Sequence, residues 1–196
     1  MPAALEDPFY YLNNFHTVLD WISDRYSDLL NADESTFIAC FRALPRPSQA
    51  LLVRMVMRKG ELFRASKLNY VEIGETRQAA APLVELGWID AEPVLELTQL
   101  FGLLTLGEID ACFGKVPGRK AERLEALLQQ QHPARRFADW YPASTDCVYA
   151  LNLMDTCDRL RLMFFGNLYQ DWSEFVLADL GIYQYERVEI DAAARG

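Results

Sequence analysis

The chain has 196 residues, is 51% hydrophobic and carries a formal net charge of −9, so it can bury one substantial core or two small ones. No apolar run approaches the roughly 20 residues that cross a bilayer, and the N-terminal sequence MPAALEDPFY lacks the cationic start and apolar centre of a signal peptide. These features predict a globular cytoplasmic protein with no membrane partner.

Helical periodicity dominates the first 60 residues. Apolar residues recur at steps of three and four from about residue 11 to residue 30, which predicts an amphipathic helix. Asp33 is a predicted N-cap for a second helix, which ends at Pro45. Pro47 suits the first turn of a third helix, and Gly60 is expected to stop it. The apolar positions of the first helix are Leu12, Phe15, Leu19, Ile22 and Tyr26.

The segment after the third helix changes character. From residue 62 to residue 73 the apolar spacing loosens into short, β-prone pieces, which predict a small hairpin. Residues 75–86 resume a helical pattern that Gly87 closes. Three helices, a hairpin and another helix predict a variant of the winged helix-turn-helix over residues 1–92.

Cations are concentrated in two windows of this acidic chain. Between residues 42 and 67 seven arginines and lysines stand against one acid, and between 115 and 136 six stand against two. Such sorting gives a polyanion one place to bind and repels it elsewhere, which favours nucleic acid. The open alternative for each cation is an ion pair with the acidic remainder. Candidate DNA contacts in the first window are Arg54, Arg58, Lys59, Arg64 and Lys67.

Arg54 and Arg58 are four residues apart on the third predicted helix, so they share a face that could lie along a phosphate backbone. Asparagine and glutamine side chains that could read base edges are sparse here. The window therefore predicts binding that is independent of sequence.

Residues 93–131 form a second pattern, in which two short helices flank a basic, glycine-containing turn. Thr105 and Glu108 have the spacing of a capping box at the first helix, and Gly118 leads into the second helix at residues 119–128. Cations and free N–H groups at that second helix start suit a phosphate. Candidate DNA contacts here are Lys115, Arg119, Lys120 and Arg123.

The run QQQHPARRF at residues 129–137 predicts a short linker, and the remaining residues, 132–196, contain an aromatic-rich stretch that predicts helical core from residue 149. Large apolar residues so near the chain end suggest that a further domain covers them. The four cysteines are scattered without a CxxC pair and only two histidines are present, so no zinc site is predicted.

Several segments resemble the bacterial members of the Fanconi-associated nuclease family. They are YYLNNFHTVLDWI at 10–22, LLVRMVMRKGELFR with LNYVEIGE within 51–75, and RLMFFGNLYQDWSEFVLADLGI at 161–182. Within the same resemblance, LTLGEIDACFGKVPGRKAERLEALL at 104–128 is similar to that family's SAP module, a two-helix DNA-binding element. The expected fold is mainly α, with a winged helix-turn-helix-like domain at 1–92, a SAP-like module at 93–131 and further helices at 132–196.

The resemblance implies a structure-specific nuclease of the phosphodiesterase I type, which acts on 5′ flaps in interstrand crosslink repair. Such proteins end in a VRR-NUC domain of the PD-(D/E)XK kind that holds Mg²⁺ or Mn²⁺. That signature requires an acid two residues before its lysine, and none of the four lysines of this chain has one. No catalytic or metal residue is therefore assigned, and no cofactor is expected within these residues.

The leading hypothesis is the DNA-binding N-terminal region of such a nuclease, as a fragment or a truncated product, that docks branched or flapped DNA through two basic patches. Its expected location is the cytoplasm, in association with the nucleoid. Further partners implied are the nuclease domain of the same protein and a second copy of the chain. The alternative is a protein-interaction module that uses residues 164–185, and a complete enzyme is the third reading, with no nucleophile beside an evident base to support it.

Overall fold

The computed structural model describes residues 7–165 of the chain. Within this range the polypeptide is mainly helical, which confirms the predicted fold class. The helices are α1 Tyr10–Tyr26, α2 Ala32–Ala43, α3 Arg46–Met57, α4 Thr76–Glu85, α5 Leu97–Leu103, α6 Leu106–Phe113, α7 Lys120–Leu128, α8 Phe137–Trp140 and α9 Met154–Phe165. The strands are β1 Leu62–Arg64, β2 Ile89–Asp90, β3 Val94–Leu95, β4 Arg135–Arg136 and β5 Val148–Leu151, and a short 3-10 turn spans Ala65–Lys67.

The first three helices follow the sequence pattern closely. Pro47 lies in the first turn of α3, as predicted, because its missing N–H would be unsatisfied there anyway. The predicted N-cap of α2 was wrong: the cap is Asn31, whose side chain accepts a hydrogen bond from the backbone N–H of Glu34 at 2.7 Å. The Glu34 carboxylate accepts one in return from the N–H of Asn31 at 3.0 Å, which completes a capping box.

The predicted hairpin at residues 62–73 is wrong, because the partner of β1 lies far along the chain. β1 pairs antiparallel with β5, with Phe63 opposite Tyr149, and β5 in turn pairs with β2, with Ile89 opposite Leu151. The resulting three-stranded sheet has the order β1-β5-β2. A strand formed this way leaves no local signal of its partner in the sequence.

This sheet completes a winged helix. In chain order α3, β1, the 3-10 turn, α4, β2 and β5 follow the helix–strand–helix–helix–strand–strand succession of that fold. The connection between the last two strands, which is a short loop in a simple winged helix, here runs from residue 91 to residue 147 and contains β3, α5–α7, β4 and α8. The second module is thus inserted at the wing.

Each face of the sheet packs against its own hydrophobic core. Because neighbouring side chains on a strand point to opposite faces, Phe63 and Tyr149 join the core built with α1–α4 and α9. Val148 belongs instead to the core of the inserted module, and Leu62 packs against that second core. The other buried members of the second core are Leu95, Leu97, Leu100, Phe101, Leu104, Ile109, Phe137 and Trp140.

The segment after the inserted module divides between the two cores. Residues 135–136 of the predicted linker form β4, which pairs with β3, and its last residue begins α8, which buries Phe137 and Trp140. The prediction of helix from residue 149 is wrong for β5 and confirmed for α9. The domain boundaries at 92 and 131 stay a prediction, and most of the candidate partner-binding segment, 164–185, lies outside the described residues.

Within residues 7–165 none of the helices combines the length and the apolar character that crossing a bilayer requires.

A buried carboxylate ties α9 to the start of α2. Glu34 is only 1% exposed, and its carboxylate accepts a hydrogen bond from Arg159 of α9. Burial disfavours the charged carboxylate, but the hydrogen bonds from Arg159 and from the N–H of Asn31 outweigh burial and lower the pKa of Glu34. The capping box therefore also serves as a long-range contact.

Replacing Glu34 by alanine removes the carboxylate that completes this capping box. We expect the free energy of unfolding, measured by urea denaturation at neutral pH, to fall by about 1–2 kcal/mol. Asp20→Ala is the matched control, because it breaks the exposed ion pair with Arg42 and should cost no more than about 0.5 kcal/mol. Equal losses in the two variants would contradict the structural role of Glu34.

Candidate nucleic-acid interface

Exposed cations of the first window surround a cleft between the winged helix and the inserted module. Arg58 and Lys59 follow the end of α3, and Lys67 closes the 3-10 turn. The opposite wall is the end of α5, at Gly102 and Leu103, and the cleft encloses about 270 Å³. The cleft is bordered by positive charge.

A second depression adjoins the first. It has a volume of about 400 Å³ and lies between α5 and α7, with Lys120 on its rim. Gly102 lines both depressions, so the structure brings the first basic window and Lys120 to the two sides of α5. Lys115 and Arg119 are exposed in the loop that leads into α7.

Four of the predicted contacts keep their charges free for a ligand. Among residues 7–165 no acid forms an ion pair with these four side chains, which are all exposed. They are Lys59, Lys67, Lys115 and Arg119. Arg58 is also exposed, although its Nη1 donates to the carbonyl of Lys67 at 3.2 Å. This bond holds Arg58 at the mouth of the first cleft.

Arg54, by contrast, turns into the fold. Its guanidinium lies 4.0 Å from the ring centroid of Tyr11 and 4.5 Å from that of Tyr70, and its Nη2 contacts the Glu72 carboxylate at 3.4 Å. Burial opposes its charge, yet the contacts with Tyr11 and Glu72 raise the pKa of Arg54. Arg54 and Arg58 therefore do not form the shared phosphate-facing surface that their spacing predicts.

Arg64 is buried between the two modules. Its Nε donates to Asp146 at 2.8 Å, and its Nη1 donates to Glu108 at 2.6 Å and to the carbonyl of Leu103 at 3.2 Å. The guanidinium also lies 5.5 Å from the ring centroid of Phe137. Arg64 also lines the first cleft, but with 8% exposure its guanidinium is held mainly by these partners inside the protein.

At the start of α7, too, one cation borders a depression and another is buried inside the protein. Lys120 Nζ donates to the carbonyl of Leu104 at 2.6 Å. Arg123 is 8% exposed, and its guanidinium donates to Asp110 at 2.6 Å and to the carbonyl of Gly114 at 2.9 Å. Lys120 still borders the second depression, whereas Arg123 fixes the turn between α6 and α7.

Hydrogen bonds lower the pKa of both carboxylates that contact Arg64. The hydrogen bond from Arg64, together with the backbone N–H of Thr105, lowers the pKa of Glu108 to about 2 against a partial burial that opposes ionisation. Burial likewise opposes ionisation of Asp146, but hydrogen bonds from Ser66, Cys147 and Arg64 lower its pKa. Both carboxylates are therefore charged at neutral pH.

Gly102 lines both depressions, although the sequence analysis does not single it out. It is exposed on α5, and a Cβ atom built there would meet nothing within 4 Å. A glycine inside a helix costs about 1 kcal/mol relative to alanine, so Gly102 in the short run LTQLFGL does not stabilise α5. This isolated helical glycine is visible in the sequence.

A larger polar cavity of about 510 Å³ lies near the start of α4 and suits a phosphate poorly. Glu75 and Asp146 place carboxylates on its wall. Arg77, on the same wall, already donates to the carbonyl of Thr145 at 2.6 Å. Across the described part of the chain, no group of three or more histidine, cysteine, aspartate and glutamate side chains could hold a metal ion.

Two family domains match the chain. Residues 9–90 match the domain described as FAN1, HTH domain, and residues 94–140 match the Fanconi anemia-associated nuclease SAP domain. These matches confirm the resemblance that the sequence segments indicate.

Relatives with the same description extend beyond the aligned region. The chain is 59% identical to a Fanconi-associated nuclease 1 homolog of Pseudomonas aeruginosa, over 98% of this chain and 35% of the relative. It is 29% identical to the homolog of Arabidopsis thaliana, over 89% of this chain and 21% of the relative. The chain thus spans about a third or less of the length of these relatives.

Solved structures give the same picture. A crystal structure of paFAN1 bound to 5′-flap DNA with a 2-nt flap and a gap matches with a TM-score of 0.85 and 59% identity, over 90% of this chain and 33% of that one. A second, with a 1-nt flap, matches with a TM-score of 0.82 and 58% identity over the same shares.

The low pKa of Glu108 makes the contact between the modules dependent on pH. Because this pKa lies below the usual value of 4.5, the ionised carboxylate stabilises the fold above about pH 4.5, and that stabilisation is lost as the pH falls toward 2. We expect Glu108→Gln to reduce the slope of unfolding free energy against pH, between about pH 5 and pH 3, by up to about 1 kcal/mol per pH unit.

Urea denaturation at closely spaced pH values measures this slope. Glu122→Gln, which removes an exposed carboxylate of α7, is the control and should leave the slope nearly unchanged. A slope in Glu108→Gln equal to that of the control would show that Arg64 does not stabilise the charged carboxylate.

Proposed function

Because the chain belongs to the Fanconi-associated nuclease family, whose HTH and SAP domains it carries, we propose that it is the DNA-binding N-terminal region of a structure-specific nuclease. In this proposal the chain docks 5′-flap or otherwise branched DNA and performs no bond cleavage with its described residues. The phosphodiesterase activity with Mg²⁺ or Mn²⁺ that the resemblance implies is assigned, in this proposal, to residues beyond those that the structure describes. The setting is the cytoplasm, on the nucleoid.

The observation that carries the proposal is the position of Gly102 between two cation-bordered depressions. On one side lie Arg58, Lys59 and Lys67, and on the other lies Lys120. A backbone with no side chain at this point lets a phosphate chain pass close to α5. Lys59 and Lys67, which pair with no described acid, are suited to neutralise phosphates on one side of it, and Lys120, whose Nζ donates to the carbonyl of Leu104, borders the other.

The proposed phosphate contacts are fewer than the nine candidates that the sequence predicts. The set comprises Arg58, Lys59, Lys67, Lys115, Arg119 and Lys120, and it leaves out Arg54, Arg64 and Arg123 because their guanidinium groups are occupied inside the fold. The paFAN1 structures contain 5′-flap DNA, which supports a branched rather than a linear ligand. The protein-interaction alternative rests on residues 164–185, and no described contact favours it.

Loss of the two lysines at the first cleft tests direct phosphate contact. We expect Lys59→Ala/Lys67→Ala to weaken binding to a 5′-flap duplex and to reduce the slope of log affinity against log salt by up to about 2, since each phosphate contact contributes about 0.9. Fluorescence anisotropy at several salt concentrations measures both quantities.

Arg25→Ala/Arg42→Ala is the matched control, because it removes two exposed cations of α1 and α2 that line neither depression. A control variant that loses as much affinity and slope as the lysine variant would show that net charge alone, and not the cleft, governs binding.

Gly102 offers a test that adds a group instead of removing one. We expect Gly102→Glu to keep the fold, because a side chain there meets open space, and to lower DNA affinity at least tenfold by placing a carboxylate and bulk between the depressions. Gly102→Ala should raise the free energy of unfolding by about 0.5–1 kcal/mol.

Gly107→Glu is the control for this substitution. Gly107 is also exposed, also helical and also surrounded by open space, but it lines neither depression. If Gly102→Glu binds DNA as tightly as Gly107→Glu does, α5 is not part of the interface.

A further inference from the structure

We propose that Arg64 is a positioning residue for branched DNA: it locks the inserted module against the winged helix at a fixed angle, and the preference for a flap over a plain duplex depends on that angle. This inference rests on the proposed function. It assigns to Arg64 a role in specificity that requires no contact with DNA.

The contacts of Arg64 join three parts of the chain. The residue itself belongs to β1 of the winged helix, Asp146 precedes β5 where the chain returns to the sheet, and Glu108 and Leu103 belong to the inserted module. Alternation along β1 directs Phe63 to the first core and Arg64 to the opposite face, toward the module. One side chain thus spans the boundary between the two cores.

An arginine is the side chain suited to this task. Its planar guanidinium offers donors in a fixed fork, so bonds to Asp146, Glu108 and a carbonyl together determine the direction of all three partners. Because the group is almost fully buried, water competes little with these bonds and a displaced partner would leave a buried charge unpaired. The arrangement therefore favours one relative orientation of the modules.

The contacts of Arg64 lie one residue from the proposed interface at Gly102. The Leu103 carbonyl that accepts from Arg64 follows Gly102 directly, and the next carbonyl, that of Leu104, accepts from Lys120. Two cations from different modules thus bind neighbouring carbonyls at the C-terminal end of α5, where helix carbonyls lack internal partners. Movement of α5 relative to β1 would move Lys120 relative to Arg58, Lys59 and Lys67.

Glu108→Gln separates positioning from direct contact because the first role changes the flap-to-duplex affinity ratio, whereas the second changes affinity for both DNAs alike. Glutamine can keep the capping bond to the N–H of Thr105 but loses the charge that holds Arg64. If Arg64 contacted phosphate, removing its carboxylate partner would free it and raise affinity for every DNA. If Arg64 positions the module, the affinity ratio of 5′-flap to plain duplex falls, by threefold or more, although the protein becomes less acidic.

The experiment measures anisotropy of the 196-residue chain with a 5′-flap duplex and a plain duplex, at matched salt. Glu92→Gln is the control, because it removes one negative charge from an exposed pair with Arg136 at 3.7 Å and should leave the ratio unchanged. Asp146→Asn is the second variant, since its Oδ1 can still accept the N–H bonds of Ser66 and Cys147, and it should lower the ratio in the same way.

Each outcome has one meaning. A fall in the ratio for Glu108→Gln and Asp146→Asn, with Glu92→Gln unchanged and thermal unfolding still cooperative, supports the positioning role. A wild-type chain that prefers the flap and variants that keep this preference overturn the role of Arg64 alone. A wild-type chain that binds neither DNA overturns the proposed function and this inference with it.

Discussion

The two faces of one small sheet determine how the modules of this protein meet. Strand alternation sends Phe63 and Tyr149 to one hydrophobic core and Val148 to the other, so a shift of β5 by one residue would exchange the sides. The same alternation aims Arg64 at the inserted module, where two carboxylates balance its charge. The relative placement of the basic surfaces follows from this pairing of β1 with β5.

Cations in this acidic chain serve two separate purposes. Arg64, between the modules, and Arg123, at the turn between α6 and α7, are buried, and their guanidinium groups donate to carboxylates and carbonyls. Lysines with flexible stems, such as Lys59 and Lys67, are exposed, and no described acid pairs with them. The positive field available to a ligand therefore comes from fewer residues than the charge windows contain, and Lys59 and Lys67 among them border the first depression beside α5.

Local features of the fold could be read from the sequence, whereas long-range pairings could not. Thr105 with Glu108 announces a capping box through a fixed three-residue spacing, and Pro47 and Gly87 mark helix ends for equally local reasons. Asn31 had the same signal, since Glu34 follows it by three residues. The residues near Arg64 in the sequence do not reveal that its partner Asp146 lies 82 residues away. Counting charges within one window therefore could not predict that Arg64 is buried.

Insertion at the wing also sets the order in which the molecule can be made. β1 ends at residue 64 and its central partner β5 begins at residue 148, so the strand leaves the ribosome well before the residues that complete its sheet. At common synthesis rates this interval is on the order of ten seconds. During that time the hydrogen-bonding edge of β1 and one side of Phe63 have no strand to cover them, so the nascent chain exposes an unpaired strand edge until the inserted module has emerged.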